Sequence, residues 1–533
     1  MADQPIESEH DTDFIVVGGG TAGCLLSTRL AELGWAVTLL EWGPDDQNEP
    51  RARELRRWDE MLEGEYDLDY RSKPNIRGNS DIRLARLRIL GGCSTANTMI
   101  AFRPLRRDLE EWVELGAAGW DPDTVLPAYD RLRTPIHAVA EADRNPFVAD
   151  VVASAVTALG VPERTTWNDG GLDELASGAG FFEVGYTPET NLRSSTSIHY
   201  VHPARASDAG PTVLTGHRVV EILLEDTEQE PGRGPRAVGV RVRTADNSTA
   251  KLHATQEVIL CAGAIDSPRL MQLSGIGPRT VLEAAGVPVR VDLPGVGENL
   301  QDHAEGLVVW ESNRRPPSTC ASGWDAAAVV DIDGDGRPEV HMHFPVEPWA
   351  VHAEHWRAAH GEAPLPENIV AIAPNVARPL SRGRVWIESD DEEQPPAIDF
   401  RSFTDPDGRD EEVLLAGVRM AREIGNHEPM RSWLIREVFP GPDVVTDEEL
   451  SHIARATHQT VYHPSGTCRM GGDDDPEAVL DSRLRVRGVR DLRVVDASVF
   501  PTLTANNPMV TVMVVAEHAV SLIAADRGRP LTA

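Results

Sequence analysis

Positive charge is scarce in this chain: 51 lysine and arginine residues stand against 85 aspartates and glutamates, a net charge of -34. That balance argues against nucleic acid or an anionic membrane as partner and favours a cationic ligand, although such acidity also serves solubility alone. Cysteine is sparse as well. Cys24, Cys93, Cys261, Cys320 and Cys468 are scattered, odd in number and without a CxxC pair. Neither a disulfide framework nor a zinc site is therefore expected, no metal is called for, and the usage suits a reducing compartment. No uninterrupted apolar stretch reaches membrane-spanning length, since the longest candidate, residues 508–520, is broken by Glu517 and His518. The first ten residues are acidic and polar, unlike a secretory signal, so a cytoplasmic location is expected. No period of about 20–50 residues repeats, which excludes a solenoid.

What is present begins with Phe14-Ile-Val-Val-Gly-Gly-Gly-Thr-Ala-Gly23, a β-branched apolar run set directly against Gly18-x-Gly20-x-x-Gly23. The run reads as a buried strand and the glycines as a tight turn with close backbone approach. Residues 24–33 then read as a helix whose N-terminus, with Thr21 and Ala22, faces a pyrophosphate. A second apolar run, residues 36–40, ends in Glu41, placed 18 residues past Gly23, where a ribose ligand belongs. An ordinary glycine-rich βα turn would leave Glu41 a coincidence; strand, glycines, helix, second strand and terminal acid together point to dinucleotide binding.

At 533 residues the chain is long enough for two consecutive or intertwined domains. Residues 51–88 are highly charged, and residues 89–97 turn small and flexible, as suits a loop wrapped beside the same ligand. Residues 103–133 read helical, with Asp121-Pro122 able to cap a further helix, and residues 146–159 read as another helix. Alternating runs at residues 219–224 and 237–242 suggest antiparallel strands. Val258-Ile-Leu-Cys-Ala-Gly263 is a second buried strand, followed by a helix over residues 267–273, which returns the chain to the nucleotide domain. Asp331-Ile-Asp-Gly-Asp-Gly336 opens like a calcium loop, but its twelfth position is Met342 where a bidentate glutamate is required, so it reads as a polar turn. The acidic runs at residues 390–393 and 473–475 read as solvated loops.

Several blocks, in order, resemble the glucose-methanol-choline oxidoreductases, and within that family its choline-oxidising members. They are the N-terminal glycine motif, Gly91-Gly92-Cys93-Ser94 running on to Phe102, and Gly263-Ala-Ile-Asp-Ser-Pro-Arg-Leu270 with Ser274-Gly-Ile-Gly-Pro278. Further on come Gly295-Val-Gly-Glu-Asn-Leu-Gln-Asp-His303, Val461-Tyr-His-Pro-Ser-Gly-Thr467, and Val495-Asp-Ala-Ser498 before Asn507-Pro508. The resemblance implies an α/β fold: an FAD-binding Rossmann-like domain with an interleaved α+β substrate domain containing an antiparallel sheet. Residues 11–100, 200–302 and 465–530 would form the first domain and residues 101–199 and 303–464 the second. It implies FAD as cofactor, with Glu41 on the adenosine ribose, Asn97, Thr98, Met99 and Ile100 beside the isoalloxazine, Val219 at the adenine, and Asp496 and Ala497 by the ribityl and pyrophosphate.

By the same resemblance His463 and Asn507 sit over the flavin. An alcohol gives up hydride as its hydroxyl proton departs; a histidine near neutral pKa can take that proton, and an asparagine can donate to the substrate oxygen without titrating. Glu305 would face a substrate cation boxed by Trp58, Trp324, Trp349 and Tyr462, with His343 a further polar pocket residue. Aromatic faces and a desolvated carboxylate together favour a cation by on the order of a few kcal/mol. Read without the resemblance, the tryptophans would be core anchors and the carboxylate a surface charge. Ala96 stands where the choline-oxidising relatives carry a histidine bonded to flavin, so a non-covalent FAD is expected. Leu68 replaces a tryptophan, and residues 135–146 form a shorter span than in those relatives, so a wider cationic alcohol such as an amino sugar or aminoglycoside fits as well as choline. The expected reaction is oxidation of a primary alcohol to the aldehyde, with O2 reduced to hydrogen peroxide; the alternative acceptor is a quinone or other carrier. A flavin monooxygenase would need a second dinucleotide motif, which does not occur downstream, and a non-catalytic scaffold has no use for His463 and Asn507. A homodimer is admitted as the assembly.

Overall fold

The computed structural model describes residues 12–529 apart from 80, 171–172, 174–175, 208, 227–233, 349–355 and 357–362. The apolar run at its start forms the strand Thr12–Val17, which pairs in parallel with Val37–Glu41 on one side and Thr249–Leu260 on the other. Thr212–Thr215 and Leu492–Val494 add further parallel strands. The long strand Thr249–Leu260 serves two purposes. Its first half closes an antiparallel meander with Arg236–Thr244 and His217–Glu225, and its second half joins the parallel sheet. The helix Thr21–Glu32 starts three residues earlier than the sequence pattern suggests, and Gly263–Leu273 four residues earlier; in both, the glycine-rich turn leads straight into the helix.

The second sheet is almost wholly antiparallel. Its order is Leu434–Phe439, Val308–Ser312, Ile369–Val376, Val340–His343, Ala326–Val330, Gly178–Phe181 and Glu163–Arg164, with Ala304–Glu305 and Gln459–Thr460 attached beside it. Its strands alternate. Val340 and Met342 join the core packed under the helices Pro146–Leu159 and Arg409–Asn426, while His341 and His343, pointing the opposite way, stack at 4.3 Å. The helix Pro146–Leu159 runs between Asn145, whose side chain caps it, and the left-handed Gly160.

The loop at residues 331–336 is a polar turn, with Asp331 accepting from the backbone of Gly334 at 2.6 Å and Gly336 at 2.9 Å. Asp331, Asp335 and Glu339 come together there, and Arg378 supplies the positive charge, contacting Asp335 and Glu339. Asp45, Asp46 and His202 also converge; Arg205 pairs with Asp45, and Asp46 accepts from Ser197 and His202.

The helix Met509–Asp526 is long and apolar enough to cross a membrane by composition, yet 72% of it is buried inside the fold. Glu517, fully buried on it, is held by both ends of the Arg29 guanidinium at 3.0 Å and by Arg131 at 3.1 Å, which pins this helix to Thr21–Glu32. Replacing Glu517 with alanine is expected to cost about 2–3 kcal/mol, less than for a wholly buried pair because both arginines keep some solvent contact. The readout is the thermal unfolding midpoint, and an unchanged midpoint would show that this clasp holds nothing.

Candidate active site

Between the two sheets runs a cavity of about 370 Å³, lined at one end by Glu41, Trp42 and Val219 and at the other by Glu305, Trp324 and His343. The glycine motif builds its floor. Gly18 has φ +102°, and a Cβ there would sit 2.6 Å from the carbonyl oxygen of Cys261. Gly23 packs behind the turn and not on the cavity wall, and it makes the close backbone approach read from the motif, since a Cβ there would lie 1.9 Å from the Gly18 oxygen. Gly20 differs from both, since a Cβ there would meet only the Cα of Gly92 at 3.9 Å, so its backbone faces open cavity. It precedes a helix with no side-chain cap, leaving N–H groups free at the wall, with Thr21 and Ala22 lining it. That arrangement fits a pyrophosphate.

Glu41 is buried, and burial pushes its carboxyl up to about 7. One oxygen accepts from Gly19 N at 2.8 Å and the other from Gly43 N at 2.7 Å, which fixes the group and leaves a lone pair on each for a hydroxyl. Asp496 ties the second glycine turn in place, accepting from Gly263 N and the hydroxyls of Ser267 and Ser498, and it lines the cavity with Ala497.

The segment at residues 91–100 supplies Gly92, Asn97, Thr98, Met99 and Ile100 to the wall. Gly91 and Ser94 are not among the lining residues. Gly91 N donates to Gly19 O at 2.7 Å and Ser94 Oγ to Gly91 O at 2.7 Å, so both shape the loop from behind. Arg193, buried and unmarked in the sequence, donates to the carbonyls of Ser94 and Asn97 and pins the same loop. Ala96 lies on the wall.

His463 and Asn507 meet at the middle of the cavity, with Asn507 Nδ2 3.3 Å from His463 Nε2. The tautomer follows from the neighbours. His303 Nε2 lies 3.1 Å from the Thr504 carbonyl, which can only accept, so Nε2 carries the proton. The neutral ring then accepts at Nδ1, 2.8 Å from His463 Nδ1, and His463 must donate there. His463 Nε2 is left with its lone pair, which accepts from Asn507 Nδ2 at 3.3 Å on the cavity wall, so a substrate hydroxyl would displace that contact to reach it. Burial, then the neighbouring histidines, holds His463 well below the ordinary imidazole range, and burial lowers His303 to about 4. Both rings are neutral at neutral pH.

Tyr462 has φ +63°, a strained value for a non-glycine residue, immediately before His463. The strain is held by Thr460 Oγ1, which accepts from Tyr462 N at 2.7 Å, by Arg86, which donates to its carbonyl at 2.8 Å, and by Asp302, which accepts from His463 N at 2.8 Å. Arg86 also lines the cavity, and its Nε is buried without a partner. Sequence reasoning missed Arg86 and the role of His303, although His303 lay within a quoted motif; the only signal was its place two residues before Glu305.

Glu305 is buried, and burial raises its carboxyl while His343 opposes the rise. His343 Nδ1 donates to it at 3.3 Å and packs edge-on against Trp324 at 5.6 Å between ring centres. Trp58, anchored to the carbonyl of Ser322 at 2.9 Å, and Tyr462 line the same cavity. Trp349 lies outside the described residues.

A dinucleotide cleft on a mixed sheet, opening onto paired neutral histidines under an antiparallel sheet, defines an FAD-dependent oxidoreductase acting on alcohols. The chain belongs to the GMC oxidoreductase family, whose N-terminal and C-terminal domain profiles match residues 12–305 and 379–516. It is 40% identical to choline oxidase from Arthrobacter globiformis, over 98% of this chain and 96% of that one. It is 33% identical to an oxygen-dependent choline dehydrogenase from Photobacterium profundum, over 96% and 92%. Among solved structures, pyridoxine 4-oxidase from Mesorbium loti superposes with a TM-score of 0.86 at 29% identity, covering 96% of this chain and 98% of that one.

Replacing His303 with alanine removes the acceptor that fixes the His463 proton at Nδ1. The limiting rate of anaerobic flavin reduction is expected to fall at least ~10-fold, as when a catalytic imidazole loses its tautomer. A change confined to KM would contradict that reading.

Proposed function

We propose that this protein oxidises the primary alcohol of a small cationic amino alcohol to the aldehyde, with oxygen as electron acceptor and hydrogen peroxide as product. The observation that carries the reading is the shared cavity: a neutral imidazole lone pair at His463 and a buried carboxylate at Glu305, with Trp58, Trp324 and Tyr462 on the same wall. The named activities of the choline oxidase and choline dehydrogenase relatives support it.

FAD, when bound, supplies the hydride acceptor. His463 Nε2 takes the hydroxyl proton, which raises electron density at the adjoining carbon. Asn507 donates its amide proton to the substrate oxygen and does not titrate. Glu305 and the aromatic faces hold the cation, which orients the carbinol carbon, and His343 braces Glu305. Glu41, the free N–H groups at Thr21 and Ala22, Val219 and Asp496 hold the nucleotide, with residues 97–100 beside the ring. Around these groups the division into an FAD-binding part (residues 11–100, 200–302 and 465–530) and a substrate part is kept as part of the proposal.

Two finer points belong to it. Ala96 offers only a methyl group to the cavity, so FAD is held without a covalent bond. Leu68 lines the cavity where a tryptophan would narrow it, so an amino sugar or aminoglycoside bearing a hydroxymethyl group remains beside choline as substrate. A quinone or other carrier is the rival acceptor, in keeping with the Pseudomonas putida relative named alcohol dehydrogenase [acceptor], 29% identical over 96% of this chain.

An anaerobic screen of amino alcohols, aminoglycosides and their neutral carbon isosteres tests the reading. Cationic alcohols should bleach the oxidised-flavin absorbance and release peroxide on admitting air; bleaching without peroxide would move the protein to the dehydrogenases, and preference for the neutral isosteres would end the cation reading. In Glu305→Gln the preference for the charged member of a pair should fall by on the order of 10–100-fold in kcat/KM. Because the Glu305 carboxyl is raised, its charge is present above its folded pKa and lost as pH falls through it. KM for a cationic alcohol should therefore climb on acidification sooner than an ordinary carboxylate would allow, while KM for its neutral isostere stays flat. Acid precipitation should leave the flavin in the supernatant; a yellow pellet would contradict the non-covalent assignment.

A further inference from the structure

The nucleotide end of the cavity is completed by a segment far away in the chain. Strands Gly383–Trp386 and Ala397–Asp399 form a hairpin whose tip carries Asp390, Asp391, Glu392 and Glu393. As a sequence this is a solvated acidic turn; in the fold Asp390, Asp391 and Glu393 are exposed as that reading has it, and Glu392 departs from it, reaching the wall of the cofactor cavity with Trp42 and Arg218. Four arginines clasp the tip. Arg218 and Arg269 both donate to the carbonyl oxygen of Glu392, Arg269 at 2.7 Å, and Arg269 also donates to that of Gln394 at 2.9 Å. Arg243 pairs with the Glu392 carboxylate, Arg241 stands 3.9 Å from it, and Arg218 meets Glu393 at 2.8 Å.

Three features set this clasp apart from surface ion pairs. Arg218 and Arg269 are 8% and 5% exposed, so their charges are little screened. Their acceptors include main-chain carbonyls, which fix the path of the tip and not merely its side chains. The Arg218 guanidinium also lies 4.1 Å from the centre of the Trp42 ring, and Trp42 follows Glu41 directly, so the clasp is continuous with the residue at the ribose position. The same hairpin pairs through Gly383–Trp386 with Glu298–Leu300, three residues before His303.

We propose that the hairpin tip at residues 389–394 is a strap over the nucleotide end of the cavity and that its arginine clasp sets how fast FAD leaves. The proposal rests on the non-covalent reading of the cofactor. With no bond at Ala96, retention depends on closure of the cavity, and the end closed by charged groups of both signs is the adenosine end. Opening the strap breaks contacts to Arg218, Arg243 and Arg269 together, which places the barrier on release.

Holoenzyme is diluted and the recovery of free-flavin fluorescence is followed, at low and high salt, for the parent protein, the double variant Glu392→Ala, Glu393→Ala, and Arg243→Gln. The last removes one partner of the Glu392 carboxylate and leaves Arg218 and Arg269 in place, so it guards against a misfolded tip. Both variants should release FAD faster, the double variant on the order of 10-fold; salt should accelerate release from the parent, and that acceleration should shrink in the double variant. A yellow acid precipitate overturns the non-covalent reading and the strap with it. A colourless precipitate with unchanged release rates in both variants overturns the strap alone.

Discussion

Backbone crowding is the constraint on which the rest of the structure depends. A Cβ on Gly18 would strike the Cys261 carbonyl, one on Gly23 the Gly18 oxygen, and one on Gly92 would come within 2.7 Å of the Gly20 Cα. Three segments, from residues 14–32, 89–97 and 258–273, thus meet at main-chain contact distance. Only glycine permits this, and the result is a cavity wall made of N–H groups and short side chains rather than of rotamers. Glu41 and Asp496 then act as buried splints, each accepting from backbone groups on the neighbouring turn. A cofactor wall built this way has little freedom left to relax, so the positions of the groups facing it are settled by the fold.

The second half of the site is anchored to the first by long-range polar contacts. His303 and His463 are 160 residues apart and share one hydrogen bond, and Arg86 crosses from the N-terminal segment to the carbonyl of Tyr462. The strained backbone at Tyr462 persists because Thr460, Arg86 and Asp302 hold three consecutive polar groups around it. Strain at this point aims the imidazole across the cavity at Asn507. Loosening any of those contacts would let the loop relax while leaving the sheets intact.

Local patterns carried most of what was legible beforehand. The glycine turns, the helix of residues 146–159 and the alternation in the meander are properties of short windows, and each forms as its window suggests, with helix starts shifted by the turn that feeds them. Glu305, Trp58, Trp324, Tyr462, His343, His463 and Asn507 line one cavity, which only the resemblance, and no periodicity, gave reason to expect. What stayed hidden depends on contacts across the chain. That Gly91 and Ser94 stand behind the wall was not legible, because a loop sequence does not reveal which side of its backbone faces a ligand. The turn of Glu392 toward the cavity was hidden in an otherwise exposed acidic tip because its arginine partners lie more than a hundred residues away. Arg193 and Arg86 had no signature at all, since an arginine donating to distant carbonyls leaves no local pattern.

Burial then explains why the cation pocket and the base coexist. Desolvation favours neutral forms, so it depresses the imidazoles of His463 and His303 and raises the carboxyl of Glu305 by the same physics. A protonated His463 would repel a cationic guest a short distance away, and a solvated Glu305 would attract it only weakly. The dry interior keeps the base uncharged without any anionic partner, leaving Glu305 as the one carboxylate offered to the guest among those lining that end of the cavity. His343 resolves the remaining conflict: its Nδ1 proton stabilises the Glu305 charge without bringing a net positive charge of its own when the ring is neutral. Entry of a cation completes the compensation, because the carboxylate then gains the counter-charge that burial had withheld. The pocket thus discriminates by charge through burial, and any substitution that admits water to it should weaken the cation site while letting the His463 imidazole rise toward its ordinary range and take up a proton of its own.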